Sequence, residues 1–263
     1  MKFHFKHSEV FPLVKANQAV LLEGEKGTGK TTLSIDTAKY LNLDFFSISM
    51  TRQTTYSHLL GFMNVKGTYI PSQIRLAAEN GGLVLLDELD ASDPNVILCL
   101  NSIENGYLSF PDKVVTLHPD FRLMATCNPQ DNHKNYNGRA KLDDATLDRF
   151  DQITVERDEE LEKTLVDFET YSKISLIRKC LKIQNSNTYI SMRDSLRFQK
   201  RKDLNLLDGF VEKLLKKDRA AFEMYLETLP SLPKVSGLSE CETITDIWEY
   251  TKSQATTGQN LWA

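Results

Sequence analysis

No apolar run in the 263-residue chain approaches the roughly 20 residues that a membrane-spanning helix needs, so no transmembrane segment is expected. Behind Met1-Lys2-Phe3-His4-Phe5-Lys6-His7 there is no apolar h-region. A secretory signal is therefore not expected, and the chain is placed in the cytoplasm, that of a host cell if it is phage-encoded. The four cysteines, Cys99, Cys127, Cys180 and Cys241, form no C-x-x-C pair, which argues against a zinc site or a redox motif. Cys99 and Cys127 sit in apolar runs and read as core. Charge of one sign is also in short supply: 32 Lys and Arg against 36 Asp and Glu leave a net charge of −4 and a pI near 5.8. That balance gives no global electrostatic footprint for nucleic acid and leaves only a local basic patch open. Internal repeats and low-complexity tracts are missing too. A hydrophobic fraction of 41% with 26% charged residues is that of an ordinary soluble globular protein, long enough for one large domain or two modest ones.

What is present begins with Gly24-Glu25-Lys26-Gly27-Thr28-Gly29-Lys30-Thr31, which fills every fixed position of the pattern G-x-x-x-x-G-K-[ST] directly after the apolar run Ala19-Val20-Leu21-Leu22. A buried strand that ends in a glycine-rich turn, with a helix opening at Lys30, aims backbone N–H groups and the positive end of a helix dipole at one point. A polyphosphate fits there, held by Gly24 through Thr32. Gly27 and Gly29 allow torsions and close approach that a β-carbon would obstruct. Lys30 would reach the β- and γ-phosphates and Thr31 would offer a hydroxyl to Mg2+. The alternative is an ordinary glycine-rich turn between strand and helix.

Up to about Phe150, short apolar runs alternate with helical patterns, as expected of a mainly parallel sheet covered by helices. Strands are expected at Ala19–Glu23, Asp44–Ser49, Leu83–Asp87, Phe121–Cys127 and Gln152–Val155, and helices at Lys30–Leu41, Ser72–Asn80, Pro94–Asn105 and Asp143–Arg149. Turn residues at Asn64 to Gly67 and at Asn105-Gly106 mark two short hairpins, around Met63–Tyr69 and Tyr107–Thr116. After Asp158 the texture becomes charged and amphipathic, with helices expected over Glu159–Leu181 and Asp203–Leu229. The expected organisation is an α/β nucleotide-binding domain over 1–156, a smaller helical lid domain over 157–232, and a Ser/Thr-rich tail over 233–263. In that tail Leu261-Trp262 reads either as a docking element or as a loosely packed terminus.

The run Gly82-Leu83-Val84-Leu85-Leu86 ends in Asp87-Glu88. A carboxylate at the end of a buried strand can hold magnesium through water, opposite the loop hydroxyl, which suits Asp87. Glu88 is then placed to polarise a water for in-line attack on the γ-phosphate. Without the phosphate loop the pair would be only a solvated strand exit. The strand Phe121–Cys127 ends on Asn128, an amide able to orient that water or merely a turn former before Pro129. Arg149 stands just ahead of the last strand, as a dipole-stabilising helix end or as an arginine finger reaching a neighbour's γ-phosphate. Arg139 is a second candidate for that role. Arg193 follows the helix-capping Ser191, either on a solvated helix face or reaching the nucleotide from the lid.

Together these residues resemble an AAA+ ATPase, over roughly residues 15 to 200, and are similar to its MoxR and dynein-related branch. That branch includes the cobaltochelatase AAA+ subunit and the activators of nitric oxide reductase and rubisco. The likeness is carried by Gly61-Phe62 through Tyr69-Ile70-Pro71 to Ala77, by Gly82 to Asp90, and by Ala145-Thr146-Leu147-Asp148-Arg149-Phe150; Glu104 to Val115 resembles the hairpin before sensor 1. The resemblance implies a P-loop α/β fold with a helical lid, with ATP and Mg2+ as cofactors. By position, Asn128 matches sensor 1, Arg149 the finger and Arg193 sensor 2. It further implies a homo-oligomeric ring, commonly a hexamer, that acts with a partner carrying a von Willebrand factor A domain. An alternative is a nucleic-acid motor or loader, suggested by the basic stretch Arg193, Arg197, Lys200, Arg201, Lys202, which also fits a solvated helix face. A third is a nucleotide-gated scaffold without turnover, against which Glu88 argues.

Overall fold

The computed structural model describes residues 2–129, 142, 144–183 and 189–204. The chain divides into two compact units, one ending at Leu161 and one beginning at Glu162. The first unit is built on a five-stranded, all-parallel sheet in the order β2-β5-β8-β1-β9. Its strands are β1 (Val20–Glu23), β2 (Phe45–Ser49), β5 (Gly82–Asp87), β8 (Phe121–Cys127) and β9 (Asp151–Thr154). Every expected strand is present, Phe121–Cys127 with both ends as expected and the others within a residue.

Sheet burial on both faces explains why these strands read as unbroken apolar runs. In β5, Leu83 and Leu85 face one cluster with Val20, Leu22, Met124 and Ile153, while Val84 and Leu86 face another with Leu21, Ala125 and Phe121. The first face is covered by α1 (His7–Lys15) and α2 (Lys30–Leu41), through Val10, Val14, Leu33 and Ala38. Across the other lies α4 (Gln73–Asn80), through Ile74, Ala77 and Ala78, together with α5 (Pro94–Ile97) and the 3-10 helix Leu98–Asn105 that prolongs it. Thus the single helix expected over Pro94–Asn105 is α-helical only in its first turn. The expected Asp143–Arg149 helix is the shorter α6 (Asp144–Leu147). Three elements lie outside the sequence expectations: α1, the 3-10 turn Leu89–Ala91, and α3 (Tyr56–Leu60), which is capped reciprocally by Thr55 and His58.

The two hairpins form as expected, β3 (Phe62–Met63) with β4 (Tyr69–Ile70) and β6 (Tyr107–Ser109) with β7 (Val114–Thr116). Two-stranded ribbons this short are not stable alone. Arg75 on α4 supplies a shared anchor. Its side chain is only 4% exposed, lies against the rings of Tyr69 (4.9 Å) and Phe110 (4.7 Å), and donates to both Asp112 oxygens at 2.7 and 3.1 Å. Glu79 accepts from the same guanidinium at 3.0 Å and pairs with Lys113 at 2.9 Å.

The second unit holds the end of α7 (Glu159–Leu165), α8 (Phe168–Ile183) and α9 (Met192–Asp203). The expected continuous helix over Glu159–Leu181 is broken at Asp167, whose carboxylate accepts from the Thr170 N–H at 2.7 Å and restarts the chain as α8. Buried Glu162 is held by the Arg178 guanidinium at 2.7 and 2.9 Å and by the Ser195 hydroxyl, tying α7, α8 and α9 together. The Asp203–Leu229 helix, apart from its first two residues, and the tail lie outside the described residues. Among the described residues no helix is long and apolar enough to cross a membrane.

Candidate functional site

Because the five strands are parallel and in register, the loops after β1, β5 and β8 leave from one edge of the sheet, the carboxyl edge where open α/β folds place their ligands. The phosphate loop follows Glu23, which pairs with Cys127, so Gly24 and Asn128 leave the sheet side by side. Gly24 has no room for a side chain: a β-carbon there would stand 2.2 Å from the Val155 carbonyl oxygen. Gly27 (φ 73°) and Gly29 (φ 100°) turn the chain through the left-handed region and start α2 at Lys30. Thr28 is buried and its hydroxyl donates to the Glu25 carbonyl at 3.0 Å, bracing the loop; Lys26 and Thr32 are exposed. The Lys30 ammonium donates to the carbonyls of Gly24 (2.5 Å) and Glu25 (2.9 Å), folding back across the loop. Burial lowers its pKa from the usual lysine value, although nearby acidic groups, Asp87 among them, favour the charge.

Thr31 follows, and its hydroxyl faces the Asp87 carboxylate at 3.3 and 3.4 Å across the gap between α2 and β5. The hydroxyl of Thr126, on the adjacent strand, donates to Asp87 Oδ1 at 2.6 Å and accepts from the Glu88 N–H at 2.9 Å. Glu88 itself sits at φ 62°, ψ 49°, a left-handed conformation that a non-glycine residue occupies at a cost. Asn128 is buried, and its amide donates to the equally buried Asp90 at 3.4 Å. Burial pushes the Cys127 and Cys99 thiols up to about 12, so neither is a thiolate near neutrality. Among the described residues no group of three or more His, Cys, Asp or Glu converges to hold a metal ion alone.

The model of the AAA domain, dynein-related subfamily, matches residues 19–150, half of the chain. The chain belongs to this family. It is 31% identical over 151 residues to midasin of Dictyostelium discoideum, a match spanning 53% of this chain and 2% of that protein. It is 24% identical over 170 residues to an uncharacterized protein of Staphylococcus epidermidis, covering 59% of this chain and 62% of the relative. The chain thus spans a small fraction of the midasins and under two thirds of the staphylococcal relative. Among solved structures, NtrX of Brucella abortus overlaps 65% of this chain and 41% of its own at 15% identity, with a TM-score of 0.47.

As an AAA domain the chain binds nucleotide, and the phosphate loop is the element with the geometry for it. Gly24 through Thr32, Asp87, Glu88 and Asn128 meet at the carboxyl edge. Arg149 does not join them. It precedes β9, whose first residue Asp151 pairs with Val20 at the start of β1, so it lies at the amino edge of the sheet. The four residues of β1 alone, at about 3.3 Å each, put some 13 Å of strand between that edge and the phosphate loop. Its guanidinium pairs with Glu104 at 3.4 Å and donates to Asn101, beside a shallow pocket lined by Ala19, Ile97, Leu100 and Phe150. Arg193 lies in the second unit, exposed in the first turn of α9, where Ser191 and Asp194 form a reciprocal cap. Arg139 lies outside the described residues. Thr126 carries no sequence signal, because a lone hydroxyl in an apolar strand has no local signature; only strand register sets it beside Asp87.

Proposed function

We propose that the chain is an ATP-hydrolysing AAA+ ring ATPase, of the MoxR type or similar to a chelatase activator, that couples hydrolysis to conformational change in a partner protein. The carrying observation is that the phosphate loop and Arg149 occupy opposite edges of one sheet. In a head-to-tail ring, commonly a hexamer, each loop faces the next subunit's amino edge, and an arginine there completes the site.

In this reading the loop amides and Lys30 bind the polyphosphate, and Glu88 takes a proton from the attacking water while Asn128 orients it. Thr31 and Asp87 fit a hard cation: hydroxyl and carboxylate oxygens face each other, so Thr31 would hold the ion by its hydroxyl and Asp87 would hold it through water. Bound there, Mg2+ would neutralise charge building on the transferred phosphoryl group. The neighbour's Arg149, released from Asn101 and Glu104, would do the same from the other side. Arg139 is the second choice for that role, and Arg193 would report nucleotide from the lid formed by α7, α8 and α9. The hairpins, joined by Arg75, expose Phe62, Met63, Val65 and Val114 as the surface that meets a client.

Two assays test this. Light scattering paired with ATP turnover is expected to show activity rising with assembly; full activity in the isolated subunit contradicts the ring model. Affinity capture is expected to recover a protein with a von Willebrand factor A domain. Capture of no such protein, with normal client maturation after deletion of this gene, overturns the activator reading. The nucleic-acid alternative is weakened by α9, where Lys202 is bound to Asp167 (2.7 Å) and Glu169 (2.6 Å) and Arg197 lies 3.7 Å from Asp194. Stimulation of hydrolysis by DNA at low salt, lost at high salt, would restore it.

A further inference from the structure

Thr126 is fully buried at the end of β8, on the strand next to Asp87 and Glu88. A threonine hydroxyl has one proton and two lone pairs. Here the proton goes to Asp87 Oδ1 at 2.6 Å, which leaves a lone pair to accept the Glu88 N–H at 2.9 Å. One oxygen therefore fixes two consecutive residues with different tasks: it orients the carboxylate that faces Thr31, and it holds the backbone of the residue that turns left-handed at φ 62°. Without that acceptor the Glu88 amide would lose its partner, and the strained turn would lose one of the contacts that over-determine it.

We propose that Thr126 is the positioning residue of the hydrolytic site, setting Asp87 and Glu88 in register with each other through its single hydroxyl. The proposal rests on the reading of Asp87 as the cation-side carboxylate and Glu88 as the base. Partners one shell out from a metal ligand change metal affinity or activity by about 10- to 100-fold when removed. Valine has the shape of threonine without the hydroxyl, and serine has the hydroxyl without the methyl group, so the two variants separate hydrogen bonding from packing.

The test compares wild type, Thr126→Val, Thr126→Ser and Glu88→Gln in the full chain, using ATP with and without MgCl2. Thr126→Val is expected to bind a fluorescent ATP analogue in EDTA as wild type does. It is expected to lose about 10- to 100-fold in kcat with little change in KM, and to need more Mg2+ for half-maximal turnover. In the nucleotide-free protein its Glu88 amide should exchange hydrogen faster, which is independent of turnover. Thr126→Ser is expected to restore both the rate and the amide protection. Wild-type kcat and Mg2+ dependence in Thr126→Val overturn the proposal, as does a Thr126→Ser that folds and yet behaves like the valine variant. Wild-type turnover in Glu88→Gln overturns instead the hydrolytic reading beneath it.

Discussion

Replacing Glu88 by alanine and by glycine measures the strain at the end of β5. Both changes remove the carboxylate and its contacts, so their difference reports only the backbone. At most positions glycine is the worse of the two by roughly 0.5–1 kcal/mol, because it gives up more conformational freedom on folding. Glu88 sits at φ 62°, ψ 49°, where a β-carbon costs about 1–2 kcal/mol. Subtracting glycine's extra freedom in the unfolded chain, about 0.4–1 kcal/mol, leaves Glu88→Gly more stable than Glu88→Ala by about 0.8 kcal/mol at the middle of the two ranges. For a protein of this size that is a Tm higher by about 1–4 °C. Thermal unfolding followed by circular dichroism, with nucleotide absent, reads it directly. The same pair of substitutions at Leu76, 40% exposed on α4, serves as the internal control and should show alanine ahead. If glycine is also the less stable residue at position 88, the left-handed turn is not a source of strain and the argument that Thr126 restrains it fails.

Gly24→Ala is expected to lose nucleotide binding and about 1–3 kcal/mol of stability, since its β-carbon would stand 2.2 Å from the backbone oxygen of Val155 and push β9 from β1; unchanged binding by calorimetry would contradict this. Arg75→Met keeps an unbranched stem and removes the guanidinium that stacks on the two rings and binds Asp112, and amide exchange should accelerate in both 62–70 and 107–116; acceleration in one hairpin alone would show that they are not joined through this residue. Burial lowers the pKa of His4 and His7 from the free value of 6.5, so the unfolded chain takes up more protons as the pH falls. The stability this confers is complete above pH 6.5 and is lost as the pH drops through the folded values. The denaturation midpoint should fall between pH 7 and 5, and His4→Asn with His7→Asn should flatten that fall.

The parts of the site that were legible in the sequence are those whose chemistry fixes both residue type and spacing. Gly24 to Thr31 and Asp87-Glu88 each declare themselves within a few residues, and the runs before them read as buried strands because both faces of the sheet are covered. Element ends and short helices were harder. The α1 helix carries Pro12 inside it and begins without a side-chain cap at Lys6, so neither of the usual start signals is present, although Val10 and Val14 have the spacing of a buried face. In α3 the reciprocal cap uses His58 where a Glu or Gln is the usual partner, which hides the pattern. Partnerships across the chain were not legible at all. Arg75 and Asp112 are 37 positions apart, and Thr126 lies 38 from Glu88; both pairs exist only because the parallel sheet and the α4 packing bring them together. Arg149 shows the same limit from the other direction: its residue type was readable, but its place at the amino edge came from the register of β9 against β1.

In the proposed ring, the phosphate loop of one subunit is completed by Arg149 of the next. Glu88→Gln and Arg149→Ala subunits, each expected to bind ATP and hydrolyse almost none, can be purified separately, mixed in equal amounts and allowed to exchange. In a random ring about a quarter of the interfaces then pair an intact Glu88 with an intact Arg149, so turnover should recover to about a quarter of the wild-type rate, against the 10³- to 10⁵-fold loss that removal of a trans arginine can cause. A mixture that co-assembles yet stays as inactive as its two components would contradict the account.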